Sequence, residues 1–103
     1  MLHLVAFPPA RGDLLRSLQR SVQPGDQVVF IEEGILFCAD TPDNQAALAL
    51  LAEADLHCLA DDATDTDPVI QAAIQAARHT VARVSWDDIA ALTESHAPCL
   101  SWY

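Results

Sequence analysis

The stretch from Val28 to Cys38 reads VVFIEEGILFC and sets the class of the fold. Its first four residues are apolar and mostly β-branched, a composition that favours a buried strand. Glu32–Gly34 then ends that strand, and the apolar run Ile35–Ala39 fits one or two turns of helix. A buried strand that leads directly into a helix is the unit from which parallel sheets are built.

The same alternation continues on both sides of this stretch. Further strands are predicted at residues 1–7, 55–60, 81–85 and 98–103, and helices at 13–22, 43–54, 69–77 and 85–96. The predicted helix caps are Asp13, Asp43, Asp67 followed by Pro68, and Ser85 with Asp88 in a capping box. Residues 61–68 form an acidic loop. Five strands alternating with helices predict one small, doubly wound, mostly parallel α/β domain over residues 1–103.

The charge of the chain argues against nucleic acid as a direct partner. Fifteen acidic residues face five arginines, no lysine is present, and the formal net charge is −10. Such a surface repels phosphate backbones. With 51% apolar residues the chain can still bury a core, although a domain of this size gains stability when it buries further surface against a partner.

The number of cysteines and the lack of a signal-peptide or membrane-span pattern indicate where in the cell the protein is expected. The chain has three cysteines, an odd number with no CxxC pair, and it opens without the basic segment of a signal peptide. No apolar run reaches the roughly 18–20 residues that a membrane span requires. We therefore expect a cytoplasmic protein with reduced thiols and no membrane partner.

Cofactor and metal sites are not predicted. The loop after the first strand, Pro8–Asp13, has two prolines that lack an N–H, one glycine, and an aspartate that would repel an anion, so it makes a poor phosphate cradle. The four histidines show no i, i+4 pair, and the acid pairs 61–62 and 87–88 are typical of solvated loops and helix starts.

The three thiols differ in their predicted settings. Cys38 follows an apolar run beyond any first helical turn, with Glu32 and Glu33 as neighbours, and is interpreted as a buried thiol rather than a nucleophile. Cys58 lies inside a strand, on the face opposite His57, and is interpreted as core. Cys99 is the thiol expected to be most exposed, and His96 three residues earlier could activate it, so both Cys99 and Cys38 are kept as alternative sulfur carriers.

Large aromatic residues gather near the end of the sequence. Trp86, Trp102 and Tyr103 fall within its last eighteen residues. Tryptophan and tyrosine are typical anchors of protein interfaces, and the alternative is packing within the monomer. Because ligands and partners approach parallel sheets at the carboxyl ends of the strands, Glu32 and Glu33 join them as interface candidates.

Four segments of the sequence resemble one family. They are the opening MLHLV, the central GDQVVFIEEGIL, the segment VSWDDIAALTESH and the closing LSWY. Together and in this order they are similar to the TusB/DsrH subunits of bacterial sulfur-relay complexes, over essentially the whole length. The resemblance implies a flavodoxin-like, DsrE-like sheet domain that binds no cofactor.

The resemblance also implies partners and a pathway. It implies assembly with TusC-like and TusD-like subunits as a dimer of heterotrimers, a heterohexamer that passes persulfide sulfur from a TusA-like carrier to a TusE-like carrier. The sulfur serves 2-thiolation of the wobble uridine in tRNA processing; DsrEFH complexes instead serve sulfur oxidation. The sulfur-carrying cysteine belongs to the TusD/DsrE subunit. A second cysteine found in some DsrH proteins would fall at Gly12 here, which argues against an independent sulfurtransferase role.

Three hypotheses follow from the sequence. The first is a non-catalytic subunit of a TusBCD-like sulfurtransferase complex, with no catalytic residue of its own. The second is a sulfur-carrying subunit with a persulfide on Cys99 or Cys38, or a subunit of a sulfur-oxidation complex. The third is a free-standing homo-oligomeric binding module.

Overall fold

One parallel sheet of five strands forms the centre of the computed structural model of the chain. The strands are β1 (Leu2–Val5), β2 (Gln27–Phe30), β3 (Asp55–Leu59), β4 (Ala82–Val84) and β5 (Cys99–Trp102), in the order β4-β3-β2-β1-β5 across the sheet. Every neighbouring pair runs parallel. The predicted α/β class with a parallel sheet of about five strands is confirmed.

The structure describes residues 1–38, 41–51, 53–59, 82–96 and 98–103. The predicted acidic loop 61–68, the cap Asp67 with Pro68 and the helix at 69–77 lie outside these residues. Within the described ranges no helix is both long and apolar enough to cross a membrane.

Four helical segments lie within the described ranges, and their starts correct two predicted caps. They are α1 (Gly12–Ser21), a 3-10 helix (Glu32–Cys38), α2 (Pro42–Ala49) and α3 (Trp86–Ser95). Asp13 is not the cap of α1: that position belongs to Arg11, and Asp13 lies in the first turn. Asp43 does not cap α2 either, because the Thr41 hydroxyl accepts the Asn44 N–H at 3.2 Å and Pro42 favours the first helical position.

The predicted capping box of α3 is confirmed. The Ser85 hydroxyl accepts the backbone N–H of Asp88 at 3.2 Å, and the Asp88 carboxylate accepts the backbone N–H of Ser85 at 2.9 Å. Two amide hydrogens that a helix start would leave without partners are thereby bonded. This reciprocal pair fixes where the chain leaves β4 and turns into the helix.

The segment after β2 differs from its prediction. The strand ends at Phe30 and the 3-10 helix starts at Glu32, three residues earlier than the helix predicted at Ile35. Gly34 makes this early turn possible, because it lies against the backbone of Val5 at the end of β1. A Cβ at position 34 would stand 2.9 Å from the carbonyl carbon of Val5 and nearer still to its oxygen, so no other residue fits without a shift.

Helical segments cover both faces of the sheet. Phe37 of the 3-10 helix stacks on Phe30 of β2 with ring centroids 5.3 Å apart, and meets Phe7 edge-on at 5.7 Å. On the opposite face, α3 lies beside His57 and Val84. The predicted doubly wound arrangement is therefore present, with fully buried apolar side chains of β1, β2 and β3 between the layers.

The strand order places the switch point of the sheet between β1 and β5. The connections from β1 through β4 step along the sheet in one direction, and β5 then returns to the free side of β1, where Val5 pairs with Trp102. In open parallel sheets, binding sites form outside the carboxyl ends of the strands at such a point.

Candidate interaction surface at the carboxyl edge of the sheet

All five residues predicted to contact a partner lie at the carboxyl edge of the sheet. Glu32 and Glu33 follow β2, Trp86 follows β4, and Trp102 and Tyr103 end β5. Neighbouring strands are about 4.8 Å apart, so β2 and β5 stand about 10 Å apart on either side of β1, and β4 lies about 10 Å beyond β2. We call this set the carboxyl-edge surface.

The backbone at Glu32 is strained. Its φ is +50°, the only positive φ of a non-glycine residue in the described part of the chain, and its side chain is exposed. Left-handed backbone costs an ordinary residue about 1–2 kcal/mol and persists when the surrounding structure enforces it. Two residues on, Gly34 lies against the end of β1, and the carboxylates of Glu32 and Glu33 are exposed to solvent beside this contact.

The three aromatic residues of the surface are not equally accessible. Tyr103 is 72% exposed and Trp86 is 44% exposed. Trp102 is half-buried. Its indole N–H donates to Nδ1 of the buried His3 at 3.1 Å. Tyr103 and Trp86 are thus available to a partner, whereas Trp102 is turned inward and holds β5 on β1.

A polar network that the sequence did not predict lies behind Trp102. His3 is fully buried in β1, and its Nε2–H donates to the Asp26 carboxylate at 3.0 Å while its Nδ1 accepts from Trp102. A neutral imidazole with its hydrogen on Nε2 satisfies both bonds. Burial opposes ionisation of Asp26, but hydrogen bonds from the Gln23 N–H and from His3, together with the N-terminal ammonium at 3.2 Å, outweigh it and lower the pKa of that carboxyl.

Two charged residues next to the loop after β1, Arg11 and Asp13, form an ion pair with each other. The Arg11 guanidinium donates from Nε and one terminal nitrogen to the two carboxylate oxygens of Asp13, each at 3.2 Å. The bond to Arg11 lowers the pKa of Asp13. Arg11, in the loop that follows β1, is thereby paired with a carboxylate in the first turn of α1.

None of the three cysteines is exposed at the carboxyl-edge surface. Cys38 is 3% exposed and Cys58 is fully buried, as predicted from their apolar neighbours. Cys99 is exposed, also as predicted, but it begins β5 beside Leu2, at the amino edge of the sheet. Strand length puts it about 10 Å from the carboxyl end of β5.

The two buried cysteines influence each other's ionisation. Cys38 ends the 3-10 helix and Cys58 lies near the carboxyl end of β3. The interaction with Cys58, together with burial, raises the pKa of Cys38. The same interaction lowers the pKa of Cys58 against the effect of its burial, and the charge of Arg83 lowers it further.

A second polar network lies near the amino ends of β2 and β3. The Gln27 amide donates to the Asp55 carboxylate at 2.8 Å and its oxygen accepts the Nε2–H of His57 at 2.7 Å. Burial lowers the pKa of His57, and its Nδ1 has no hydrogen-bond partner. A hollow of about 590 Å³ lies beside it, between α2 and β3. Two polar side chains of its wall, Asp55 and His57, are bound to Gln27. We take the carboxyl-edge surface as the candidate site because it holds the exposed aromatic and acidic side chains.

In the described ranges no three histidine, cysteine or acidic side chains come close enough to hold a metal ion. A scan against models of known protein families finds no match, and a search among curated proteins finds none either.

Proposed function

We propose that this chain is a non-catalytic subunit of a heteromeric, TusBCD-like sulfurtransferase complex in the cytoplasm, which relays persulfide sulfur for 2-thiolation of the tRNA wobble uridine. Its role is to bind TusC-like and TusD-like subunits and to help shape the site around a partner's cysteine. The sulfur passes between TusA-like and TusE-like carriers, so this chain itself contacts neither the membrane nor the tRNA.

The observation that carries the proposal is the separation of thiols from the carboxyl-edge surface. A sulfur carrier must present a reactive thiol where donor and acceptor proteins meet. The surface instead offers two solvent-exposed carboxylates, Glu32 and Glu33, and the exposed ring of Tyr103. These are the features of a docking surface, in which an aromatic anchor contributes affinity and charges select the partner.

The charge of the chain supports the exclusion of tRNA. A net charge of −10 without any lysine disfavours binding of the negatively charged phosphate backbone of tRNA. It is compatible with a carrier or subunit that offers a basic patch, which the acidic surface would attract and orient.

Co-expression with TusC-like and TusD-like subunits tests the proposal. We expect one complex on size-exclusion chromatography that contains all three chains. The variant Tyr103→Ala should weaken assembly by about tenfold or more, as expected for an exposed aromatic anchor. A chain that remains separate from both subunits would overturn the proposal.

A matched acidic pair separates the surface from general charge effects. Glu32→Gln removes one exposed charge at the surface, whereas Glu53→Gln removes one exposed charge between α2 and β3. We expect the first change to slow association and the second to leave it unaltered. Melting temperatures of all variants show whether the fold is intact.

The exposure of Cys99 favours one second candidate, a persulfide-carrying subunit. Loading this chain with a cysteine desulfurase and a carrier protein distinguishes the two. The first proposal requires that the chain gain no sulfur under conditions that load the TusD-like subunit, and that replacement of Cys38, Cys58 and Cys99 together leave sulfur transfer in the complex largely intact.

A further inference from the structure

The outer edge of β5 is the least protected part of the sheet. β5 bonds to β1 on one side, and no strand among the described residues pairs with its other side. Its first three residues are exposed, whereas β1 and β2 are mostly buried. An open edge presents backbone groups to which another strand can bond, and folded proteins usually shield such edges.

Every second residue of β5 directs its backbone away from β1. The carbonyl oxygens of Pro98 and Trp102 accept amide hydrogens from the β1 side at 3.1 and 2.8 Å. Because the direction of the backbone groups alternates along a strand, the N–H and C=O groups of Cys99, Ser101 and Tyr103 point outward. These outward groups form one row of donors and acceptors with Ser101 in the middle.

The side chains along this edge carry no charge. Residues 98–103 include no acidic or basic side chain, in a chain whose formal net charge is −10. Leu100 is 41% exposed, and the Tyr103 ring is largely exposed as well. The opposite edge of the sheet differs, because β4 carries the exposed cation Arg83. Charged side chains discourage pairing between sheet edges, and β5 lacks that protection.

We propose that β5 pairs with β5 of a second copy of this chain, antiparallel and around a two-fold axis at Ser101, so that two sheets join into one. The uncharged edge offers nothing that would select a partner of opposite charge. An identical strand turned by a two-fold axis brings the same row of donors and acceptors, which makes the edge complementary to itself. Two chains that repel each other through their acidic surfaces can meet along these uncharged strands.

An axis at Ser101 uses the whole row. It places Ser101 opposite Ser101 of the second copy and Cys99 opposite Tyr103, and a shift in either direction leaves Cys99 or Tyr103 without a strand residue opposite. On the other face of the sheet Leu100 then lies opposite Trp102, an aliphatic–aromatic pair of the kind that stabilises neighbouring strands. A strand this short buries little area, so we expect a reversible dimer with a dissociation constant of about 10–100 µM.

Sedimentation velocity of the full chain, without any other subunit, tests the proposal. We expect a monomer–dimer equilibrium between about 1 µM and about 500 µM. Amide hydrogen exchange at the two ends of this range locates the contact. The N–H groups of Cys99 and Ser101 should be protected only at the high concentration, whereas those of Leu100 and Trp102, which face β1, should be protected at both.

Variants at one position separate pairing from folding. Ser101→Pro removes an outward N–H but no bond to β1, and proline is accepted in edge strands at such positions. Because the two-fold axis deletes two hydrogen bonds at once, we expect dimerisation to weaken about tenfold or more. Ser101→Thr retains the N–H and should dimerise like the unsubstituted chain. Melting temperatures of both variants show whether the fold is intact.

A cross-link tests the position of the axis. In a Cys99→Ser background, Ser101→Cys should give a disulfide between two copies on oxidation, because the Cα atoms of directly opposed residues lie about 5.5 Å apart. A chain that stays monomeric over the whole range would overturn the proposal, as would a dimer that Ser101→Pro leaves unaltered or whose newly protected amides lie outside residues 99–103. Exchange is read in the unsubstituted chain and needs no partner subunit, so the result depends neither on the folding of a variant nor on the proposed role in sulfur relay.

Discussion

Gly34 lies directly against the carbonyl group of Val5, and this contact joins the 3-10 helix to the end of β1. The carbonyl oxygen of Val5 also accepts the backbone N–H of Ile31 at 2.9 Å. The segment from Ile31 to Gly34 therefore turns directly beside this hydrogen bond between β1 and the end of β2. Glu32, with its positive φ, lies two residues before this contact. The approach of the two backbones therefore lies beside the part of the carboxyl-edge surface formed by Glu32 and Glu33.

The variant Gly34→Ala tests this contact. The added methyl group would overlap the Val5 carbonyl, which is backbone and cannot rotate away, so we expect a loss of about 1–3 kcal/mol in the free energy of unfolding. Gly12→Ala is the matched control, because nothing lies within 4 Å of its Cβ position and alanine favours the helix. Urea unfolding of both variants measures the difference; equal stabilities would show that the approach is not tight.

The strain at Glu32 predicts an unusual stabilising change. Glu32→Gly removes the cost of a left-handed backbone, and we expect it to raise the free energy of unfolding by up to about 1 kcal/mol. Glu33→Gly, one residue on in the helix, should instead lower it by about 0.5–1 kcal/mol. If Glu32→Gly also weakens assembly with partner subunits, the strain is maintained for binding rather than for folding. A drop in stability for Glu32→Gly would contradict the assignment.

The hydrogen bond between Trp102 and His3 predicts that Trp102→Phe lowers the free energy of unfolding. Trp102→Phe retains an aromatic ring but leaves the buried Nδ1 of His3 without a donor, and we expect a loss of about 1–3 kcal/mol. Trp86→Phe alters an exposed ring and should cost no more than about 0.5 kcal/mol. In hydrogen-exchange NMR the indole N–H of Trp102 should be protected and that of Trp86 should not; similar exchange of both would exclude the bond.

His57 gives the domain a dependence on mildly acidic pH. Its pKa in the folded state lies below the ordinary 6.5 because burial disfavours the imidazolium. Below about pH 6.5 the unfolded chain therefore binds more protons than the folded one, and stability falls as the pH drops towards the folded pKa. Unfolding free energies at about pH 5.5 and about pH 7.5 measure this decline, which should be smaller in His57→Gln. An NMR titration that places the His57 pKa at or above 6.5 would reverse the sign.

The reaction rate of each cysteine with thiol reagents should follow the exposure of its side chain. In native protein we expect one fast-reacting thiol, Cys99, and two slow ones whose rates are limited by local opening. Cys99→Ser should abolish the fast phase of labelling by a chromogenic disulfide and leave the slow phase unchanged. Rapid labelling of Cys38 in the folded chain would contradict its burial and reopen its role as a nucleophile.

Local pattern was enough to predict the class of the fold. Apolar runs and helical periodicity located all five strands, and the Ser85–Asp88 capping box was predicted because both of its bonds lie within four residues. The predicted caps of α1 and α2 were wrong because residue type alone does not show which residue stands just before the first helical turn. Asp43 has the chemistry of a cap, but Thr41 is the residue whose extended backbone aims a hydroxyl at the helix start.

The contacts that distinguish this chain depend on strand order, which local pattern does not contain. His3 meets Trp102 only because β5 returns to the free side of β1. Cys38 and Cys58 affect each other's pKa only because the 3-10 helix packs against β3. Glu32 remains a predicted interface residue, and neither its positive φ nor the approach of Gly34 to a strand about thirty residues away could be read from local pattern.

The pairing of β1 with β5 also has a consequence for synthesis on the ribosome. The His3–Trp102 bond joins residues 99 positions apart, so one side of β1 stays without a strand until nearly the whole domain has emerged. During that time the nascent chain exposes a row of unpaired backbone groups that another strand could bind. A domain with this topology completes its sheet late, and a chaperone or a waiting subunit would have the longest access to β1.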